Sequence, residues 1–450
     1  MATASGTASG LRALLAAGET FGRSDAGAGT RVQVEFVSAY PTGPLTILHG
    51  RGAAVGDAVA NLLAWSGYRV EREFYVNDTG EQIEGLAQAV EARYQALAGR
   101  PAAPNDAYPA ESVEPPAAAI FGREGARLAD LPTAERRARI AQQLCDDILR
   151  EQRETLDRFG VTFDRWYSER ELHRGAIAET VERLRRSGQV YDEEGALWLR
   201  SSSLGDEQDR PLVRSNGLPT YIAADIAYHL DKQRRGFGRV VDVWGPDHSD
   251  YVARTRAGLK ALGIDAGWLE VVILGPVTLK VDGLRVEGLN RKTHAVMLDE
   301  LIDELRAPVA RLSYLERPAA APLEIDLDCA RQQAPGNPVY RIFSAWERVR
   351  QAEPAPPGSN DAPLTEAQQQ LARQLARFPD EVRAATAGLD PHRIFTYTLE
   401  VASRVEAAIE APQNQRGSAA APPSAPLAGA ARIVLENALS ILGVSAPEPN

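Results

Sequence analysis

Cysteine, lysine and long apolar runs are nearly missing from this chain. Its two cysteines, Cys145 and Cys329, lie far apart in 450 residues, which excludes a disulfide framework or a cysteine zinc site and fits a reducing cytoplasm. No apolar run approaches the roughly 20 residues of a membrane span, and the first 30 residues carry neither a basic start nor an apolar signal core. Lysine occurs only at Lys232, Lys260, Lys280 and Lys292, so the 50 basic side chains are nearly all arginine. Against 61 acidic residues they leave a net charge of −11. That sum argues against unspecific coating of DNA or another polyanion. A local basic face for RNA stays open, because phosphate binding depends on where the charges lie.

At this length one compact core is insufficient, and two or three domains are expected. Residues 1–25 read as a flexible lead, rich in small residues, with one short helix at Leu11–Ala17. Strand Arg31–Val37, helix Arg51–Ser66 and strand Arg69–Val76 form a βαβ unit. The helix carries Ala54, Val55, Ala58, Leu62 and Leu63 at the spacing of one buried stripe. The Pro/Ala-rich stretch 99–118 reads as loop. Helical periodicity follows over Thr133–Phe159 and Ala176–Ser187, and strand signals return at Gly195–Arg200, Pro211–Val213 and Arg239–Val243. Val271–Glu287 alternates like two short strands around Val281-Asp282-Gly283, with a helix at Met297–Glu304. From about Asn337 the chain is helical. The pattern predicts an α/β Rossmann-like parallel sheet over 26–290 with an insertion at about 95–205, a connecting segment over 291–336, and an all-helical domain over 337–450.

Several ordered phrases carry more information than the periodicity. They are VEFVSAYPTGPLTILHGRGA after the first strand, FYVNDTGEQI after the second, the stretch Trp198–Arg254 containing TYIAADIAYH and WGPDH, and the helical end from GNPVY to LGVSAPEP. Together they resemble the class I arginyl-tRNA synthetases from about residue 20 to the end. The resemblance implies a Rossmann-like catalytic domain and a helical anticodon-binding bundle. It implies activation of arginine by ATP, with Mg²⁺ accompanying the nucleotide and no metal held by the protein, and then transfer to tRNA. Members usually carry an additional N-terminal domain that grips tRNA. Here about 20 residues precede the catalytic core, and a reduced grip is expected.

Residue by residue, the resemblance places the guanidinium of arginine against Glu169, Tyr221 and Asp225. A planar fork of five donors calls for carboxylates as bidentate partners, and an aromatic face completes the slot. A spacing of four puts Tyr221 and Asp225 on one helical face. Ser38 faces the α-amino end, where Tyr40 stands in place of the family's asparagine. Gly245, Asp247 and His248 match the nucleotide-facing loop, with Asp250 in place of a glycine. The phosphate signature is altered. Where the family has HxGH this chain has Thr46-Ile47-Leu48-His49, keeping the second histidine, and where the family has a KMSK-like loop it has Glu287-Gly288-Leu289-Asn290-Arg291. His49, Arg291 and Lys292 are the candidate catalytic cations and donors, with Thr46 beside them. Leu48 is expected to crowd the adenine face, and loss of each preorganised donor costs roughly 10²–10³ in rate.

Three functions follow. The first is an arginyl-tRNA synthetase. The second is a divergent paralogue passing activated arginine, or a guanidino analogue, to a non-tRNA acceptor. The third is a catalytically silent arginine- or tRNA-binding protein.

Overall fold

The computed structural model describes residues 4–101, 108–286, 296–351, 364–410 and 425–445. Helix α1 (Ala4–Ala17) leads into β1 (Arg31–Glu35), α2 (Ile47–Trp65) and β2 (Arg69–Val76). Helices α3 (Glu81–Leu97), α4 (Ala110–Glu124) and α5 (Thr133–Arg158) precede β3 (Arg165–Ser168). After α6 (Ile177–Arg186), strands β4 (Val190–Glu193), β5 (Ala196–Leu199) and β6 (Arg210–Val213) make an antiparallel sheet. Then come α7 (Tyr221–Arg234), β7 (Arg239–Trp244), α8 (Tyr251–Ala261) and β8 (Leu269–Ile273). A third sheet is built from β9 (Val277–Val281), β10 (Leu284–Val286) and β11 (Leu323–Asp326), around α9 (Leu298–Leu305), α10 (Ala307–Tyr314) and α11 (Leu327–Ala330). The helical end holds α12 (Pro338–Arg350), α13 (Glu366–Ala376), α14 (Phe378–Gly388), α15 (Pro391–Glu410) and α16 (Ala425–Ile441).

The main sheet has the order β3-β2-β1-β7-β8, with every neighbouring pair parallel. From β1 the chain winds outward through β2 to β3, then returns to β7 on the other side of β1. That reversal opens a crevice beyond the carboxyl ends of β1 and β7, the place where open parallel sheets take ligands.

Helix α2 starts at Ile47, four residues before the expected Arg51, and it is buried on nearly every face rather than along one stripe. It lies between the sheet and the helical end, touching β1, β2 and β7 as well as α10, α14, α15 and α16. A helix enclosed on all sides needs no amphipathic pattern. Arg51 sits within this packing, fully buried, and donates to the carbonyls of Gly275 (2.9 Å) and Pro318 (2.9 Å). Burial lowers its guanidinium to about 10. Asp57, nearly two turns further along α2, receives Arg72 Nε (3.0 Å) and Arg311 Nη2 (2.6 Å), tying β2 and α10 to the helix.

Other expectations are corrected. The leading segment is not a loose tail: α1 spans Ala4–Ala17, packs on α13 and α16, and buries Leu14. Part of the stretch expected as loop at 99–118 is helix α4, which contains Pro115 and Pro116 and is held by Val113, Ala117 and Ile120 in a core shared with α3 and α5. That burial outweighs the two missing amide donors. The expected insertion of 95–205 is interrupted by β3, which belongs to the main sheet, and α3, which begins well before residue 95, belongs with α4 and α5. The alternation in Val271–Glu287 divides between two sheets, because β8 pairs with β7 while β9 and β10 form the hairpin around Asp282-Gly283.

Candidate active site

The crevice is shaped first by a strained turn. Beyond β1 the Ser38 amide bonds to the Phe36 carbonyl at 3.0 Å, with Val37 at φ +71° and Ser38 at φ +42°. This is the rare form of the γ-turn, and a β-branched residue at positive φ is an outlier that costs about 1–3 kcal/mol. The surroundings impose it. Ser38 Oγ donates to Glu35 Oε1 (2.8 Å) and accepts from the Tyr75 amide (3.2 Å). From α5, buried Gln152 donates to the carbonyls of Tyr40 (3.1 Å) and Gly43 (2.9 Å), which fixes the rest of the turn.

Beside this turn lies an acidic slot. Glu169 follows β3 and is buried, and its Oε2 accepts from Asn77 Nδ2 at 3.3 Å while His173 Nε2 lies 3.6 Å from Oε1. Burial pushes its carboxyl up. Asp78 accepts from Ser168 Oγ (2.6 Å) and joins the ends of β2 and β3, a structural role. Helix α7 opens at Tyr221, 60% exposed and so at the mouth. One turn on is Asp225, whose carboxylate has no hydrogen bond or ion pair among the described residues. Burial raises Asp225 to about 7; Glu35, Glu169 and Asp242 push the same way and His229 opposes them. The Tyr40 phenol is raised by burial and by the fields of Tyr221, Glu169 and Asp225. Ser38, Tyr40, Glu169, Tyr221 and Asp225, picked out separately in the sequence, thus converge. The slot offers carboxylates whose charge is under-compensated, flanked by phenols, and suits a planar cation.

Sequence reading missed the floor of this slot. Lys232, fully buried, donates to Glu35 Oε2 (2.7 Å) and Asp242 Oδ1 (2.8 Å), and His229 Nε2 lies 2.8 Å from Asp242 Oδ2. Its signal was present: Asp225, His229 and Lys232 recur at intervals of four and three along α7, and lysine is scarce in this chain.

The end of the crevice expected to take the nucleotide is built on the start of α2. Thr46 occupies the N-cap position, and its amide donates to His49 Nδ1 at 3.0 Å, with its hydroxyl at the same distance. An amide can only donate, so Nδ1 is bare and the neutral ring carries its proton on Nε2. Burial lowers His49 to about 4, and the ring remains neutral at physiological pH. Thr46 therefore acts on His49. Leu48, at the second helical position, is half-buried. The segment after residue 295 is fastened to the same turn: the Ile47 amide meets the Val296 carbonyl (3.1 Å), and the Leu298 amide meets the Leu45 carbonyl (2.8 Å). Arg291, Lys292 and the Glu287–Arg291 loop fall outside the described residues. Gly245 follows β7, while Asp247 and His248 are exposed in the short turn that comes next, the His248 ring lying 6.3 Å from Trp244 and 5.3 Å from Tyr251.

Comparison with known proteins agrees along the whole chain. Residues 11–314 match the family model of the catalytic domain of class I (R) tRNA synthetases, and residues 339–449 match the DALR anticodon binding domain. The chain is 42% identical over 446 residues to the arginine--tRNA ligase of Desulforudis audaxviator, covering 96% of this chain and 79% of that protein. A putative arginyl-tRNA synthetase from Campylobacter jejuni superposes with a TM-score of 0.85 at 26% identity, covering 98% of both chains. The Thermus thermophilus arginyl-tRNA synthetase shares the fold, with a TM-score of 0.76 at 22% identity, over 98% of this chain and 85% of that one.

Proposed function

Because the chain belongs to the arginyl branch of the class I tRNA synthetases, we propose that it activates arginine with ATP and transfers the arginyl group to tRNA. In the first step an oxygen of the arginine carboxylate attacks the α-phosphorus of ATP and pyrophosphate leaves. In the second a terminal ribose hydroxyl of tRNA attacks the acyl carbon, and AMP leaves. Mg²⁺ travels with ATP, and the setting is cytoplasmic.

In this reading Asp225 and Glu169 bind the guanidinium, Tyr221 covers it at the mouth, and Ser38 and Tyr40 face the amino-acid end. His49 presents Nε2–H to the transferring phosphate as a neutral donor, locked in orientation by Thr46; donors fixed before the reaction are worth most where charge develops. Gly245, Asp247 and His248 face the nucleotide, and Arg291 and Lys292 supply positive charge to the phosphates. Residues 26–290 form the catalytic domain, 291–336 connect, and 337–450 engage tRNA. The observation that carries the reading is the open carboxylate of Asp225 beside Glu169. Pyrophosphate exchange into ATP, measured with tRNA present, tests it. Arginine supports exchange and citrulline, equal in shape but neutral, does not; equal rates with both would end the argument for the slot.

A further inference from the structure

Beneath the slot runs a single buried chain of hydrogen bonds that begins and ends at residues of the amino-acid site. Ser38 Oγ donates to Glu35 Oε1 at 2.8 Å, and Lys232 Nζ bridges Glu35 Oε2 (2.7 Å) and Asp242 Oδ1 (2.8 Å). His229 Nε2 reaches Asp242 Oδ2 (2.8 Å), and His229 Nδ1 reaches the backbone carbonyl of Asp225 (2.7 Å). All four intermediate side chains are buried, with Lys232 and Asp242 at 0% exposure.

The partners determine the form of His229. A carbonyl oxygen only accepts, so Nδ1 must donate. Asp242 faces Nε2; burial alone would raise this carboxyl, but Lys232 and His229 outweigh it and hold it below its usual value, so it is ionised and also accepts. Both ring nitrogens therefore donate, which is the imidazolium form. Carboxylates and cations alternate from Glu35 through Lys232 and Asp242 to His229, and the last cation sits one helical turn from Asp225.

We propose that His229 is a positioning residue for arginine binding: as a buried imidazolium it holds the Asp225 turn of α7 by its carbonyl and keeps the neighbouring carboxylate ionised for the incoming guanidinium. The groups that act on Asp225 from the packed elements are Glu35 on β1, Asp242 on β7, Glu169 after β3 and Tyr40 in the turn, with Tyr75 on β2 close enough to feel it. Of these Glu35, Asp242 and Glu169 are acidic and favour the protonated form. His229 opposes them. It does so without touching the ligand-facing oxygens, and this separates its role from that of a substrate contact.

The inference rests on arginine being the substrate. Its test compares the wild type with His229→Gln, measuring arginine affinity and the KM of pyrophosphate exchange between pH 6 and 9. With the imidazolium gone, Asp225 is harder to ionise. The midpoint of the affinity profile moves upward by about one pH unit, and KM at pH 7 rises about fivefold, while kcat at saturating arginine changes less than about threefold. A profile unmoved along the pH axis, with kcat and KM both impaired, would assign His229 a merely structural role and overturn the proposal. If the wild type fails to bind arginine the proposed function fails first, and this inference with it. Nitrogen-15 labelling of histidine in the wild type needs no variant: with an acceptor against each nitrogen, protons on both ring nitrogens of the buried His229 are expected, and a bare nitrogen there would overturn the proposal.

Discussion

At the proposed guanidinium end of the crevice, Glu169 and Asp225 project from the end of a strand and the first turn of a helix, and both are pushed toward protonation by burial. At the nucleotide end, His49 is pushed the other way, to about 4, and is held by Thr46. One end is an acidic receptor awaiting a cation. The other is a neutral donor fixed before any substrate arrives. Desolvation does both: it disfavours whichever form is charged, raising an acid and lowering a base. The same physical term thus makes one end dependent on pH near neutrality and the other independent of it.

The largest expected effect breaks the acidic end. Asp225→Asn keeps the shape and removes the charge, leaving the guanidinium of a bound arginine without one of its partners. Losing one member of a buried charged pair costs about 2–5 kcal/mol, so the KM for arginine should rise roughly 10²–10³-fold with the KM for ATP little changed. Steady-state pyrophosphate exchange with each substrate varied in turn checks it, and parallel rises in both constants would show that the two ends are not separate.

His49→Phe breaks the other end. The ring is kept in size and loses its Nε2–H, so kcat for exchange should fall roughly 10²-fold while arginine binding, followed by calorimetry, stays within a few-fold. A loss of arginine affinity comparable with the loss of rate would contradict the division of labour.

The pH profile sharpens the comparison without any mutation. In the proposed site arginine binds the ionised form of Asp225, whose carboxyl burial raises to about 7. Its affinity is therefore full above that value and lost as the pH falls through it. Between pH 8 and pH 6 the dissociation constant should weaken about tenfold, and binding below pH 7 should release protons. Calorimetry in buffers of differing ionisation enthalpy reads both. Over the same range kcat at saturating substrates should carry no titration from His49, since that ring is already neutral.

The parts of this architecture legible in the sequence are those where residue type and local geometry coincide. The strands over Arg69–Val76 and Arg239–Trp244 stood out as short runs containing valine and aromatic residues, and the Tyr221/Asp225 pair by a spacing that a helix turns into adjacency. Ordered phrases around Ser38 and Gly245 located the crevice. Hidden features depended on tertiary partners. Helix α2 showed no outward face because the helical end covers it, and α4 contradicted its own prolines because α3 and α5 bury it. The alternating charges of Glu35, Lys232, Asp242 and His229 are spread over three elements, and no single stretch of sequence displays them. The KMSK-like loop at Glu287–Arg291 was placed by its distance to Leu298, and it lies outside the described residues.

The smallest expected effect concerns the join between the two ends. Gln152 reaches from α5 to the Tyr40 and Gly43 carbonyls, so one amide holds the turn that begins at the amino-acid end with Ser38 and finishes at the nucleotide end with Thr46. Gln152→Leu preserves volume and removes both bonds. Two partly buried carbonyls then lose a donor, at about 1–3 kcal/mol in stability, visible as a lower denaturant midpoint. The turn remains tied through Ser38 and through the Leu45–Leu298 bond, so the KM values for arginine and ATP should both rise only a few-fold, and together. A selective rise in one of them would mean that the turn serves a single substrate and that the two ends are joined elsewhere.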